Sequence, residues 1–415
     1  MGIRRLRIAF AVLVSAVTLL SVPAAATAQN WPDVFDPYTL RTLNLTLDPA
    51  DWDTIRFDIT NEIEVPAQFS ADGEPPILVS VRRKSSRALP SEANPRKVGL
   101  KIDINEFVSA QQWHGLVKVS LENAGDVPAL YEGMAWQLHQ LAANAGFYGP
   151  ESFPALANWV RVNINGESTG IYTNVEQRDT QFLRNRGIRV SGRTWLYEVD
   201  DIDGWVLESG DPHSPAFLAL CYSPFAPAPK GGRGAAGCPT PGDTQLAAEL
   251  DGLIEMDAML AQGAVDAFSD NPDALFSHGK NFFFADFDHS ALKRRYYPWD
   301  LDAVFRSVTA GIYGDAGRKG VTQTRYEAVI LNHAGFRLRY NTILSAMVAD
   351  GGPLSEANLH AFLNSLEAQL APAMAGDPFA ANDPASLFTS LRNWISERIP
   401  NVRAQIAANG PPIPR

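Results

Sequence analysis

The chain has 415 residues, 46% hydrophobic and 20% charged, with a formal net charge of −11. That size and apolar content suffice for a large core in one big domain or two lobes. The acidic balance repels phosphate backbones and argues against nucleic acid as a partner.

The first segment, MGIRRLRIAFAVLVSAVTLLSVPAAATAQN, sets Arg4, Arg5 and Arg7 before an uncharged apolar run from Ile8 to Val22 and ends in Ala26-Thr27-Ala28. This is the pattern of a secretory signal peptide over residues 1–28. Its apolar run, about 15 residues, is shorter than the roughly 20 a spanning helix needs. The expectation is therefore an exported chain, periplasmic, cell-surface or extracellular, with no transmembrane anchor after cleavage. Removing the three arginines takes the formal charge from −11 to −14.

From residue 29 to about 203 the pattern predicts mostly strands. RTLNLTLD and ILVSVRR alternate, VGLKIDI and LVKVSLEN follow, and WVRVNINGESTGIYTNVEQ reads as a hairpin turning at Asn165-Gly166. One clear helix interrupts them, in PALYEGMAWQLHQLAANAGF, with an apolar stripe at Leu130, Met134, Leu138 and Leu141. Residues 204–242 are rich in Pro, Gly, Ala and Ser and read as a connection between lobes. They carry the two cysteines, Cys221 and Cys238, which in an oxidising compartment are expected to close one surface loop by a disulfide. From residue 243 to 415 the pattern is mainly helical, beginning with a helix or helix pair in DTQLAAELDGLIEMDAMLAQGAVDAF and including LSEANLHAFLNSLEAQLAPAMA with a start signal at Ser355. The predicted class is α+β, with a β-rich N-terminal lobe and a mainly helical C-terminal lobe. There is no internal repeat.

The exception to the helical pattern is SHGKNFFFADFDHSALKRRYYPWDLDAVF, an aromatic hairpin with Asn281 at its start and Asp300 and Asp302 at its end. If YYPWDLD ends a strand, both carboxylates share one face and Leu301 points to the core. Two carboxylates on one face repel unless a cation lies between them, and a hard divalent ion such as Mg2+ fits oxygen ligands. Upstream, Asp273 stands eight residues before Asn281, with Asp270 as a competing base. A carboxylate that accepts a hydroxyl proton, then a metal-binding amide, then an acidic ligand across a hairpin is the order of a phosphotransferase loop. In the first lobe, Arg82, Lys84, Arg87, Arg96, Lys97 and Lys101 concentrate positive charge, as an anion site or as a solvated edge strand. Ser85 and Ser86 add hydroxyls. Glu176, after the strand GIYTNV, is a candidate partner for a phosphate-binding lysine, a contact to the nucleotide base, or a solvent-facing strand end.

Together these segments resemble the bacterial spore-coat CotH family from about Leu40 to about Pro372. The pieces that carry the likeness are Arg82, Ser85, Ser86, Lys97 and Lys101, then WHGLVKVSLEN, NGESTGIYTNVEQRDTQFL, NPDALFSHGKNFFF, YYPWDLDAVF and FRLRYNTIL. The resemblance implies a two-lobed atypical protein-kinase-like fold and transfer of the γ-phosphoryl group of ATP, with Mg2+ or Mn2+, to hydroxyls of a protein substrate. It implies Asp273 as catalytic aspartate, Asn281 and Asp300 as metal ligands with Asp302 in support, Lys97 or Lys101 on the phosphates, and Glu176 beside them. Arg83 and Lys84 stand where members often carry Gly and Asn, and Glu198 where they often carry Lys. A catalytically degenerate kinase-fold protein acting in envelope or coat assembly is the alternative. A metal-dependent glycosyltransferase of the D-x-D kind is a second.

Overall fold

The computed structural model describes residues 31–84, 97–123, 127–191, 194–201, 204–209, 247–287, 292–314, 330–380 and 382–409. The signal segment 1–28, Ser85, Ser86, Arg87, Arg96, both cysteines and most of the 204–242 connection lie outside the described residues.

Period-2 alternation closes the first lobe into a barrel. Strands β1 (Arg41–Thr46), β2 (Glu64–Ala71), β3 (Ile77–Arg83), β4 (Leu100–Asp103), β5 (Lys118–Glu122), β6 (Ala157–Ile164) and β7 (Glu167–Val175) run in the order β1-β2-β3-β4-β5-β7-β6, with β6 returning to pair parallel with β1. In β2 the burial alternates strictly, with Val65, Ala67, Phe69 and Ala71 inward, as a strand with one wet face requires. The β6–β7 turn forms where expected, with Asn165 and Gly166 both left-handed at φ 52° and 85°, the conformation a two-residue hairpin turn demands.

β6 and β7 lose this alternation because helix α2 (Ala129–Asn144) covers their outer face. Val160, Val162 and Tyr172 point into the barrel, whereas Ala157, Trp159 and Ile171 join the larger core beyond it. Gly133 makes the close approach possible, since a Cβ there would stand 2.3 Å from the Trp159 ring. The Trp159 indole donates to Ala129 O at 2.8 Å, which satisfies its own buried N–H. A short helix absent from the sequence reading, α1 (Pro49–Arg56), starts with Asp48 accepting from Ala50 N and Pro49 in the first turn. Another short helix, α3 (Thr180–Asn185), is capped by Asp179.

A second, four-stranded antiparallel sheet runs β11-β10-β8-β9, from β8 (Thr194–Asp201), β9 (Gly204–Ser209), β10 (Phe282–Phe287) and β11 (Arg295–Pro298). The lobe boundary expected at 203/204 thus falls between the two strands of one hairpin. Trp195, Leu196, Tyr197 and Val199 are buried in the same core as β10, so residues 194–209 belong with the second lobe despite their place in sequence. The expected helix pair is α4 (Ala247–Leu253) and α5 (Met256–Phe268); α6 (Ala334–Val348), α7 (Glu356–Ala375) and α8 (Pro384–Asn409) complete the helical part. Among the described residues no helix is long and apolar enough to cross a membrane. The result is a β-rich first part and a mainly helical last part.

Candidate active site

β10 and β11 pair as the expected hairpin, Phe282 against Pro298 and Phe284 against Tyr296, and Trp299 N extends the ladder by donating to Asn281 O at 3.0 Å. Pairing therefore brings Asn281 and Asp300 together at one end of the hairpin. The Asn281 amide donates to Asp300 Oδ2 at 3.2 Å, and its Oδ1 is buried without a hydrogen-bond partner. The backbone differs from the expected strand end. Asp300 is left-handed, φ 50°, and so is Asn281, φ 57°. Simple alternation therefore does not set the directions of Asp300 and Asp302, although Leu301 between them is buried. Asparagine and aspartate tolerate this region better than other side chains, so residue types chosen for their oxygens also suit the turn.

The loop before β10 is held from two sides. Arg398, fully buried on α8, donates to Ala267 O (2.6 Å) and Phe268 O (3.1 Å) at the end of α5 and to Val308 O (2.8 Å) and Ala310 O (2.7 Å). It thereby joins the carbonyls at the end of α5 to those of the segment after Asp302. Asp270, the competing base, is buried and accepts from Ser307 N at 2.7 Å, while Phe305 N donates to Ser269 O. Asp270 thus ties the loop to the segment after Asp302. Asp273 is more open. His278 Nδ1 lies 2.9 Å from its Oδ1 and Lys280 Nζ 3.4 Å from its Oδ2. Burial alone would raise this carboxyl, but the His278 hydrogen bond and the Lys280 charge outweigh it and hold it below the ordinary range.

Glu132, which the sequence did not single out, and Lys84, one of the cations expected of an anion site, both lie near Asp300. Glu132, in the first turn of α2, is buried, and burial together with the charges of Asp302 and Asp300 pushes its carboxyl up to about 8. Lys84, just past β3, pairs with Glu122 and sits over the Trp299 ring at 4.4 Å. Burial and the Arg178 charge push its ammonium down to about 7, with Asp300 and Glu132 acting in the opposite direction. Glu132 escaped the sequence reading because it lies opposite the Leu130–Met134–Leu138 stripe, a position that usually faces water. Here barrel and helical lobe cover α2 on both sides. The available signal was that Glu132 is the only carboxylate in the helix.

The raised Glu132 value fixes a sign. The folded chain keeps a proton that the unfolded chain releases from about 4.5 upward, so this contribution is full below 4.5 and is lost as pH rises through about 8. In metal-free protein, Glu132→Gln should flatten the fall in melting midpoint between pH 5 and 8. A slope equal to the parent's would mean that Glu132 is already ionised in the folded state.

The other expected residues are placed as follows. Lys97 Nζ meets Asp377 Oδ2 at 2.5 Å and donates to Ile171 O at 2.7 Å, tying the barrel to the end of α7. Glu176 is buried under Arg186, which donates to both its oxygens at 2.8 and 3.1 Å, and it also accepts from Leu156 N and Asn185. Both residues, expected at the phosphates or the nucleotide, have an internal partner here, a buried counter-charge from a neighbouring element. Arg82 donates to Asn61 O at 2.7 Å and lies 3.8 Å from Glu64. Lys101 pairs in register with Arg82; burial lowers its ammonium, as do the charges of Arg82 and Lys118, while Glu198 and Glu208 raise it. Glu198 therefore sits among the cations of the barrel rim.

The donors suit a hard divalent ion: two carboxylates and an amide whose buried oxygen lacks a partner. Among the described residues no three His, Cys, Asp or Glu side chains are gathered into a ready-made metal cluster, so such an ion would take further ligands from phosphate and water.

Comparison with protein families finds that residues 237–402 match the family model CotH, described as CotH kinase protein. The matched stretch covers less than half of the chain and contains Asp273, Asn281, Asp300 and Asp302, but not the barrel. It supports the CotH resemblance drawn from the sequence motifs. A comparison with curated proteins finds no match.

Proposed function

We propose that this chain is an exported CotH-type protein kinase with a two-lobed, kinase-like fold, which transfers the γ-phosphoryl group of ATP to hydroxyls of a protein substrate. The observation that carries this reading is the Asn281–Asp300 contact at the end of a hairpin whose adjoining loop presents Asp273. Asp273, ionised and steadied by His278 and Lys280, accepts the proton of the acceptor hydroxyl as the new oxygen–phosphorus bond forms and the bond to the ADP oxygen breaks. Asn281, Asp300 and Asp302 would hold Mg2+ or Mn2+, which when bound neutralises charge on the phosphate oxygens. Lys84 and Lys101 supply positive charge from the barrel side, with Arg82 behind Lys101. Export rests on the N-terminal segment.

The assembly-protein reading is favoured by one observation, that Lys97 and Glu176, both expected at the nucleotide, have internal partners in Asp377 and Arg186. The glycosyltransferase reading is disfavoured because such enzymes usually need a doubly wound parallel sheet. Among the described strands only β1 and β6 pair in parallel.

Transfer from labelled ATP with Mg2+ or Mn2+ to the mature protein and a generic acceptor tests the proposal. Label should appear with the parent and be lost with Asp300→Ala. Equal label in both would remove Asp300 from the chemistry. Label in neither, with no rise in melting midpoint on adding ATP and metal, would favour the assembly role.

A further inference from the structure

Arg178 lies between β7 and α3 and is 1% exposed. Its guanidinium is 3.7 Å from the Trp299 ring centroid and 4.7 Å from that of Trp136. Trp299 immediately precedes Asp300, so the cation sits against the end of the hairpin where Asn281 meets Asp300. Nη1 donates to Glu176 O at 3.3 Å, a contact along its own chain segment. Nε and Nη2 are both buried without a partner.

Those two nitrogens form one edge of the fork, the edge that grips a carboxylate or phosphate with two parallel bonds. Elsewhere in this protein Arg294 uses the same edge, with Nε and Nη2 each 2.7 Å from an oxygen of Asp286. Among the described residues Arg178 alone buries both nitrogens of this edge unpaired. Burying a guanidinium is costly unless its donors are satisfied. The nearby charges of Glu176, Glu198 and Asp300 offset burial in part, but none is hydrogen-bonded to that edge. The Trp299 and Trp136 rings lie against the guanidinium without competing for its hydrogens.

We infer that Arg178 is a phosphate-binding residue of this site, its Nε and Nη2 edge receiving two oxygens of the polyphosphate chain of a nucleoside triphosphate. The inference rests on the nucleotide-binding reading above and adds a residue that the sequence motifs did not single out. It also explains why the site tolerates two cations, Lys84 and Arg178, on the same Trp299 ring: an anion bound beside them relieves their repulsion.

Titration calorimetry of the mature protein with adenosine, AMP, ADP, ATP and pyrophosphate, in Mg2+, tests this on the parent, Arg178→Lys and Arg178→Met. The lysine variant keeps the charge and loses the fork; the methionine variant removes a buried charge and has no reason to unfold, which melting curves check. Charge-assisted hydrogen bonds of this kind imply that both variants bind ATP about ten- to a hundredfold more weakly, while adenosine affinity is unchanged. Pyrophosphate losing affinity in parallel assigns the contact to the phosphate chain. Variants that bind ATP as tightly as a nucleotide-binding parent overturn the Arg178 assignment alone. A parent that binds no nucleotide overturns the kinase reading and this inference with it.

Discussion

Asp273→Asn is expected to slow phosphoryl transfer by on the order of 10²–10⁴-fold, the usual worth of a positioned general base, while leaving ATP affinity and the melting midpoint close to the parent's. The amide keeps the shape of the side chain and its oxygen can still accept from His278, so the loop should hold. What is lost is the site for the acceptor's proton. Asp270→Asn is the matched control. Asp270 is left-handed at φ 57° and accepts from Ser307 N, and asparagine suits both requirements. A turnover that falls with Asp270→Asn and survives Asp273→Asn would exchange the roles of the two aspartates.

Glu176→Ala should cost about 3–5 kcal/mol of stability, because it strands the Arg186 guanidinium in a buried site. Arg186 would keep its bonds to the Phe153, Pro154 and Phe182 carbonyls, but these do not replace a counter-charge. Denaturant unfolding of the metal-free protein measures the loss. Replacing both partners by apolar residues of similar volume should recover much of it, since the cost lies in the unpaired charge. If Glu176→Ala instead unfolds like the parent and loses ATP affinity, Glu176 touches nucleotide and its ion pair with Arg186 is incidental.

The parts of the site legible in sequence are those that follow from local pairing. An aromatic hairpin dictates that its two ends meet, so Asn281 and Asp300 come together whatever surrounds them. The β6–β7 turn and the Ser355 helix start were legible for the same reason. The cations were not. Lys84, Lys97 and Lys101 lie within one run of sequence, and only the barrel's closure decides that Lys97 faces Asp377, 280 residues away, while Lys84 faces Trp299. Glu132 was hidden by a helix buried on every side, and Arg178 by a burial that no periodicity announces. Strand alternation does not extend to Asp300, because the left-handed residue there ends it.

Arg398 has a bearing on how the protein comes into being during translation. It lies on α8, the last described helix, yet it binds the carbonyls just ahead of Asp270 and Asp273. By the time it leaves the ribosome, every strand of the barrel and both arms of the hairpin have already been synthesised. A nascent or truncated chain ending before α8 can therefore form its barrel and pair its sheet while the end of α5 lacks the Arg398 contacts. A chain that stops short of α8 therefore leaves the segment leading to Asp273 without the Arg398 contacts that hold it.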